Sequence, residues 1–299
     1  MIEYKLLNLN EHRLEELEAY FPLLDPKARR LFCEKPEDNE LFLAAIAYKE
    51  SEPVGLSFGQ AFPLLEQGFI YSLFVQEGHR EKGIGTALLA HLSDEFLKST
   101  NFLQIRYNSY DPFCEVLQKI LTKLKWQAPQ VITERYHFYA PTFAPEWYTS
   151  KEPILPKNVK ISPWQHLSNN HLASIRKIIK SNPILEDISP FNDPLPMENK
   201  NCLVLKRNNK ILAWIITHRY DQDTIRYSAL YIDRDLRGAG PVVALLKESI
   251  KRQKASPIKK AFTEINIKRT PAYWKQFVKK RLAPYATHLD YSLISFYVK

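Results

Sequence analysis

The sequence predicts an α/β protein built from two tandem copies of one domain. Three observations lead there. Its 299 residues exceed one typical domain and fit two of about 150. Strand-like and helix-like patterns alternate in the same order in each half. The letters also repeat: HREKGIGTALL, from His79, precedes LRGAGPVVALL, from Leu236, by 157 residues. Arg80 thereby pairs with Arg237, Gly83 with Gly240, and Ala87-Leu88-Leu89 with Ala244-Leu245-Leu246. That period is far too long for a solenoid.

The elements follow in order. IEYKLLNL alternates as a strand, and RLEELEAYF has helical apolar spacing. LFLAAIAYKE, PVGLSFGQAF and GFIYSLFV are three successive strand-like runs. GIGTALLAHLSDEFLK is a helix, with Ile84, Leu88, Leu92 and Phe96 four apart. FLQIRYN is a strand, PFCEVLQKILTKLKW a helix with Pro112 near its first turn, and VITERYHFYA a closing strand. The second half repeats this: VKISPW, NNHLASIRKIIK, then CLVLKRN, ILAWIITHRY and TIRYSALYI, then GPVVALLKESIKRQ, AFTEINIK, TPAYWKQFVKKRL and YSLISFYV. Between the halves, PTFAPEWYTSKEPILP carries four prolines and no glycine, which reads as a stiff connector. The expected division is therefore 1–140, a linker over 141–156, and 157–299.

Composition narrows the class. At 45% apolar and 25% charged residues, the chain can bury a real core. No run approaches the ~20 apolar residues of a membrane helix, and the opening residues do not read as a secretory signal. Cys33, Cys114 and Cys202 are odd in number and far apart, which excludes a disulfide framework and a cysteine zinc site and fits a cytoplasmic protein. Residues 1–156 hold 16 Lys and Arg against 22 Asp and Glu, a net −6, whereas residues 157–299 hold 26 against 11, a net +15. Opposite halves of this kind attract each other or offer the basic half to an anionic partner; two differently charged solvated surfaces account for the pattern equally well.

Only eight glycines occur, where average usage of about 7% would give about 21. Three of them, Gly78, Gly83 and Gly85, stand in VQEGHREKGIGTALL, where a strand ends, a short basic loop follows and a helix begins. The first N–H groups of a helix lack internal partners and carry partial positive charge, so an anion such as a pyrophosphate fits there. The first of the three Rossmann glycines is missing and no βαβ parallel crossover follows, and no GK[ST] ends the loop as in a P-loop.

Arg80-Glu81-Lys82-Gly83-Ile84-Gly85, preceded by Leu73-Phe74-Val75, resembles the acyl-CoA motif of the GNAT N-acetyltransferase superfamily. The order of elements is similar to that family's across nearly all of residues 1–140 and, more weakly, across 157–299. The resemblance implies two tandem GNAT-like domains, each with a central, mostly antiparallel mixed sheet flanked by helices. It implies acetyl-CoA as co-substrate and no metal. Backbone N–H groups of Arg80, Glu81, Lys82, Gly83, Ile84, Gly85 and Thr86 would cradle the pyrophosphate. The strand end at Leu73, Phe74 and Val75 would receive the pantetheine arm like an added strand. Asn108 lies where the family often has a cofactor-touching Asn; read from the residues alone, it starts a turn in NSYDP.

The second copy departs from this pattern. In Arg237-Gly238-Ala239-Gly240-Pro241-Val242, Pro241 removes one N–H and Val242 stands where Gly85 does. It reads as a poor cofactor site with a structural or substrate-shaping role.

Acid–base groups are harder to find. The family often uses a Glu on the fourth strand and a Tyr on the helix after the fifth. Alignment puts Tyr71 and Leu121 there, and Ser228 and Phe277 in the second copy. Tyr71, Tyr110 and Glu66 are the candidates, with core packing or solvation the alternative for each. A phenol titrating near about 10 is a poor base at neutral pH. Catalysis by orienting the amine against the thioester needs no such group.

The expected activity is acetyl transfer from acetyl-CoA to an amine, carried by a small molecule or a protein. A non-catalytic acyl-CoA-binding module is the alternative, supported by the missing Glu and Tyr. A third reading is an aminoacyl-tRNA-dependent transferase; the +15 half suits it and the intact loop opposes it. Lys251–Lys260 and Lys279-Lys280-Arg281 read as solvated basic faces without interleaved aromatics, so nucleic acid is not an expected partner, and neither is a membrane. His79 reads as an exposed loop residue. His137, His166, His171, His218 and His288 show no metal-ligand spacing.

Overall fold

The structure, a computed structural model, describes residues 1–12, 14–33, 39–151, 153–182, 189–233, 236 and 239–299. Along the chain run β1 (Ile2–Asn8), α1 (Leu14–Leu17), α2 (Pro26–Phe32), β2 (Leu41–Lys49), β3 (Glu52–Phe62), β4 (Gln67–Val75), α3 (Ile84–Phe96), β5 (Phe102–Asn108), α4 (Cys114–Lys123) and β6 (Gln130–Tyr139). There follow α5 (Glu146–Thr149), β7 (Val159–Pro163), α6 (Asn169–Lys180), β8 (Leu203–Arg207), β9 (Lys210–Arg219), β10 (Thr224–Ile232), α7 (Ala239–Lys254), β11 (Lys260–Asn266), α8 (Ala272–Phe277) and β12 (His288–Val298). The expected order of strands and helices is present. The first helical stretch is shorter than its pattern: after α1 the chain tightens into a 3₁₀ turn over Glu18–Leu23, where Pro22 has no N–H to continue an α-helix.

The chain forms two compact units, and their limits differ from the sequence division. The first unit is Met1–Ile132 with Ser292–Lys299, and the second is Thr133–Tyr291. VITERYHFYA does not close the first copy. From Thr133 onward β6 pairs antiparallel with β11 in the second unit, while Ser292–Val298 of β12 pairs antiparallel with β5 in the first. The first unit is thus completed by the chain's last strand, and the second unit begins with β6.

In the first unit the strands run β1-β2-β3-β4-β5-β12, all antiparallel except β4 and β5. β2 and β3 are buried on both faces, which explains their nearly continuous apolar sequence. On one face α3 packs Ile84, Leu88, Leu89, Leu92 and Phe96, each at most 1% exposed. Burial is worth about 1.5–3 kcal/mol for each such side chain. That far exceeds the ~1 kcal/mol by which a glycine weakens a helix, so α3 tolerates Gly85 in its first turn. On the other face Phe32 of α2 packs with Leu23, Ile46, Leu56 and Phe58.

The second unit repeats the plan through β6-β11-β10-β9-β8-β7, with β10 and β11 the parallel pair. The proline-rich segment expected as a linker lies wholly inside this unit. It turns through α5 and packs against α7. Phe143 is buried among Phe138, Trp147, Tyr148 and Tyr285, and Lys254 and Lys247 of α7 donate to the carbonyls of Phe143 and Ser150. The prolines stiffen the segment, and its aromatic residues dock it.

Candidate active site

β4 and β5 stand side by side only from Gln67–Ile70 against Phe102–Ile105. At the next residue the β3–β4 register shifts: Gly59 faces Ile70 and Phe58 faces Ser72, leaving Tyr71 as the extra residue of a bulge. A bulge bends its strand and increases the local twist. Tyr71–Val75 therefore has β3 on one edge and no strand on the other. The opening is a cleft of about 820 Å³, lined by Tyr71–Val75, by Ile105–Asn108, and by residues of the α3 and α4 starts.

The loop from β4 to α3 closes one end of this cleft. Gly83, the N-cap of α3, has φ +80°, a conformation that favours glycine. It carries no capping side chain, and the first amides of α3 have no partner among the described residues. Arg80 differs from the expectation, because its amide donates to Glu77 O, so the cradle available to an anion is Glu81–Thr86. The Arg80 side chain donates from Nε to Val75 O at 2.9 Å and lies over the Phe113 ring at 4.5 Å, bracing the loop against the strand end. Lys82 Nζ donates to Gly78 O, and Lys82 is not among the lining residues. A Cβ on Gly85 would come 3.3 Å from Ile120 Cδ1 and 3.7 Å from Val75 Cγ2, both on cleft residues, so a side chain there would fill the cleft itself.

The candidate acid–base residues separate. Tyr71 lines the cleft, and its hydroxyl donates to Gln60 Oε1 at 2.7 Å. Gln60 in turn donates to Glu40 Oε2 at 2.8 Å. Glu66 lies at the other end of β4, in the turn with β3, where Asn101 holds its carboxylate at 2.8 Å. It is not part of the cleft lining, and neither is Tyr110, which is exposed. Leu121 is buried in the core. Asn108 lines the cleft with Oδ1 accepting from Ser292 Oγ at 3.0 Å, and its carbonyl accepts from Asp111 N, so it both lines the site and starts a turn.

Sequence reading missed Gln60 and Glu40, which reach Tyr71 from other strands and loops with no local signature. It also missed Phe113 and Cys114 at the start of α4. Burial, with Asp111 and Glu115 nearby, pushes the Cys114 thiol pKa up, which keeps it in the protonated form. The aromatic after Pro112 was a legible signal for a ring facing Arg80.

The second unit repeats the geometry with less space. β10 and β11 pair from Thr224–Tyr227 against Lys260–Thr263, and Ser228 is the extra residue in the β9–β10 register. Ser228 is the residue aligned with Tyr71. Two cavities adjoin this divergence: one of about 80 Å³, lined by Phe138, Phe143, Leu246, Ile250 and Trp274, and one of about 270 Å³, lined by Asp193, Arg226, Ser228, Glu264 and Arg269. A Cβ on Gly240, at the start of α7, would meet Ile154 O at 3.9 Å and Pro153 Cβ at 4.0 Å. Arg237 and Gly238 lie outside the described residues.

Residues 7–110 match the family model described as Acetyltransferase (GNAT) family. A solved tandem GNAT protein from the clavulanic acid biosynthesis pathway aligns over 100% of this chain and 98% of its own, with a TM-score of 0.58 and 10% identity. The protein has the tandem GNAT fold. A GCN5-related N-acetyltransferase from Sphaerobacter thermophilus aligns over 99% and 95%, with a TM-score of 0.50 and 11% identity. The GCN5-related glucosamine N-acetyltransferase region of a fungal multi-domain GH3 β-N-acetylglucosaminidase aligns over 99% of this chain and 38% of that one, with a TM-score of 0.55 and 11% identity. At these identities the likeness is one of fold. No curated protein sequence matches the chain. The GNAT fold supports acyl-CoA-dependent N-acyl transfer as the general class of chemistry. Among the described residues, no helix is long and apolar enough to cross a membrane.

Proposed function

We propose that the protein transfers an acetyl group from acetyl-CoA to an amine, with the donor held in the first unit. The observation that carries this reading is the open edge of β4 from Tyr71 to Val75, continuous with the uncapped start of α3. An extended pantetheine arm would bond backbone groups of Leu73 and Val75 as an added strand. The pyrophosphate would meet the amides of Glu81–Thr86, where Gly83 and Gly85 keep side chains away. Asn108, with its oxygen held by Ser292, has an amide to offer the same arm.

When bound, the donor supplies an activated acyl thioester. This chain's residues orient it and the amine. Tyr71 lies in the bulge where the strands part, held by Gln60 and Glu40, and would position the incoming amine at the thioester. Its proton is committed to Gln60, so the amine's proton leaves to water. The acceptor is an amine on a small molecule or a protein, in a cytoplasmic setting that suits three free cysteines. The second unit binds no acyl-CoA in this reading, because the cavities at its divergence, about 80 and 270 Å³, are far smaller than the first unit's cleft.

A second reading, an acyl-CoA-binding module without turnover, is favoured by one observation: Leu121 fills a core position, so the α4 residue aligned with the family's Tyr carries no proton to give. One assay separates the two. Acetyl-CoA is incubated with the protein and a panel of alkyl and aryl amines, and free thiol is followed. Amine-dependent thiol release supports the transferase. Saturable binding without release for any amine supports the module.

A further inference from the structure

We propose that the second unit carries a binding site for a divalent late transition metal of the zinc class, formed by His137, His288 and Asp290. The sequence gives no hint of it, since 151 residues separate the two histidines. The fold joins them. His137 sits on β6, and His288 and Asp290 open β12; Thr287 donates its N–H to His137 O at 2.8 Å, which fixes the two backbones there. The imidazoles stack with ring centroids 3.9 Å apart and planes 13° apart. His137 Nε2 lies 2.6 Å from Asp290 Oδ2. One ligand atom from each of the three residues lies within 4.8 Å of the others.

The second observation is a buried carboxylate oxygen. The Asp290 side chain is 6% exposed, and its Oδ1 has no hydrogen-bond partner among the described residues. Leaving such an acceptor unsatisfied is unfavourable, and more so for a charged group. The nearest cation, Arg135 Nη1, stands at 3.7 Å, beyond hydrogen-bond reach. Arg135 is itself held by Glu264 at 2.8 and 3.0 Å, which offsets its charge toward an incoming ion. A metal would replace the hydrogen bond between His137 Nε2 and Asp290 Oδ2, with His288 swung out of the stack to bring its own ring nitrogen to the ion.

The donor set selects the metal. Two imidazoles disfavour calcium and magnesium, which take oxygen ligands, and favour zinc, copper or nickel. Nitrogen and oxygen ligands at about 2.0–2.2 Å from a tetrahedral zinc stand ~3.3 Å from one another. The three ligand atoms stand within 4.8 Å of one another, and His288, which is exposed, is the ring that must turn to close the set. Three protein ligands leave one position for water. The ion would tie the start of β12 to β6 within the second unit and stabilise it by mass action.

The test is calorimetric titration of zinc chloride into chelator-treated, tag-free full-length protein, with thermal melts alongside. The expected result is one zinc per chain and a zinc-dependent rise in melting temperature. His288→Ala, at an exposed position, should keep the fold while lowering affinity at least about tenfold, the smallest loss typical even of an outer-shell change. Asp290→Asn should do the same, and His166→Ala should change nothing. Cobalt(II) should give visible absorption bands with the wild type and not with His288→Ala. Absence of zinc binding by the wild type, or equal binding by His288→Ala, overturns the site.

Discussion

Ile70 and Ile105 are the last residues at which β4 and β5 stand opposite each other. The next residue, Tyr71, bulges out of the β3–β4 register, and the strand edge beyond it faces the cleft. The site is therefore a consequence of how strands pair rather than of a loop laid over a finished sheet. Tyr227 and Thr263 are the matching last pair in the second unit, followed by the Ser228 bulge. Divergence alone does not set the size of the opening, since the cavities beside Ser228, about 80 and 270 Å³, are each smaller than the 820 Å³ cleft of the first unit.

Gly85→Val should weaken acetyl-CoA binding at least about tenfold, or about 1.4 kcal/mol. The added side chain would enter the cleft between Ile120 and Val75. Calorimetry measures the loss, and an unchanged thermal melt assigns it to the site rather than to the fold. Unchanged affinity would contradict the assignment.

Tyr71→Phe should reduce turnover by less than the 10²–10⁴-fold typical of losing an acid–base group. The hydroxyl serves as a positioning contact through Gln60 and Glu40. With an alkyl amine, the rate should climb with pH toward the amine's own pKa. A plateau near neutrality, with a thousandfold drop in Tyr71→Phe, would make Tyr71 the acid–base catalyst instead.

Stability should fall on acidification below about pH 6.5, the ordinary imidazole range. Burial, aided by Arg226 and opposed by Asp193, holds the pKa of His218 below that range in the folded protein. The unfolded chain then binds more protons than the native one, so this contribution is complete above the unfolded pKa. It is lost as pH falls toward the lower native value. Melting curves from about pH 8 to 5 should show a shallower slope in His218→Gln; an identical slope would remove the assignment.

A fragment comprising residues 1–140 should not behave as a stable domain. It lacks Ser292–Val298, the antiparallel partner of β5, and with it the buried Leu293 and Ile294, worth about 1.5–3 kcal/mol each. It also leaves β5 as an open edge and β6 without β11. Residues 1–132 joined by a flexible linker to 292–299 should melt cooperatively. If the 1–140 fragment melts as the intact chain does, the strand exchange is dispensable.

The element order was legible because each run carries its own period: alternation in IEYKLLNL, four-residue spacing in Ile84–Phe96. Strand partners were not. VITERYHFYA and YSLISFYV alternate in the same way whichever unit they complete, and nothing local records that β6 meets β11 or that β12 meets β5. The anion loop was legible because Gly83 needs its conformation and because glycine is rare in the chain. The Tyr71–Gln60–Glu40 chain and the His137–His288–Asp290 cluster are contacts across strands. They have no spacing code, and they emerge only when the sheet is assembled.

Hydrogen exchange with and without acetyl-CoA tests the central claim most directly, because it reads location as well as binding. The account predicts slower exchange over Ser72–Val75 and Glu81–Thr86 when acetyl-CoA is added, with no change over the first turns of α7. Protection over residues 239–246 instead, or no protection in the first unit at saturating acetyl-CoA, would contradict it.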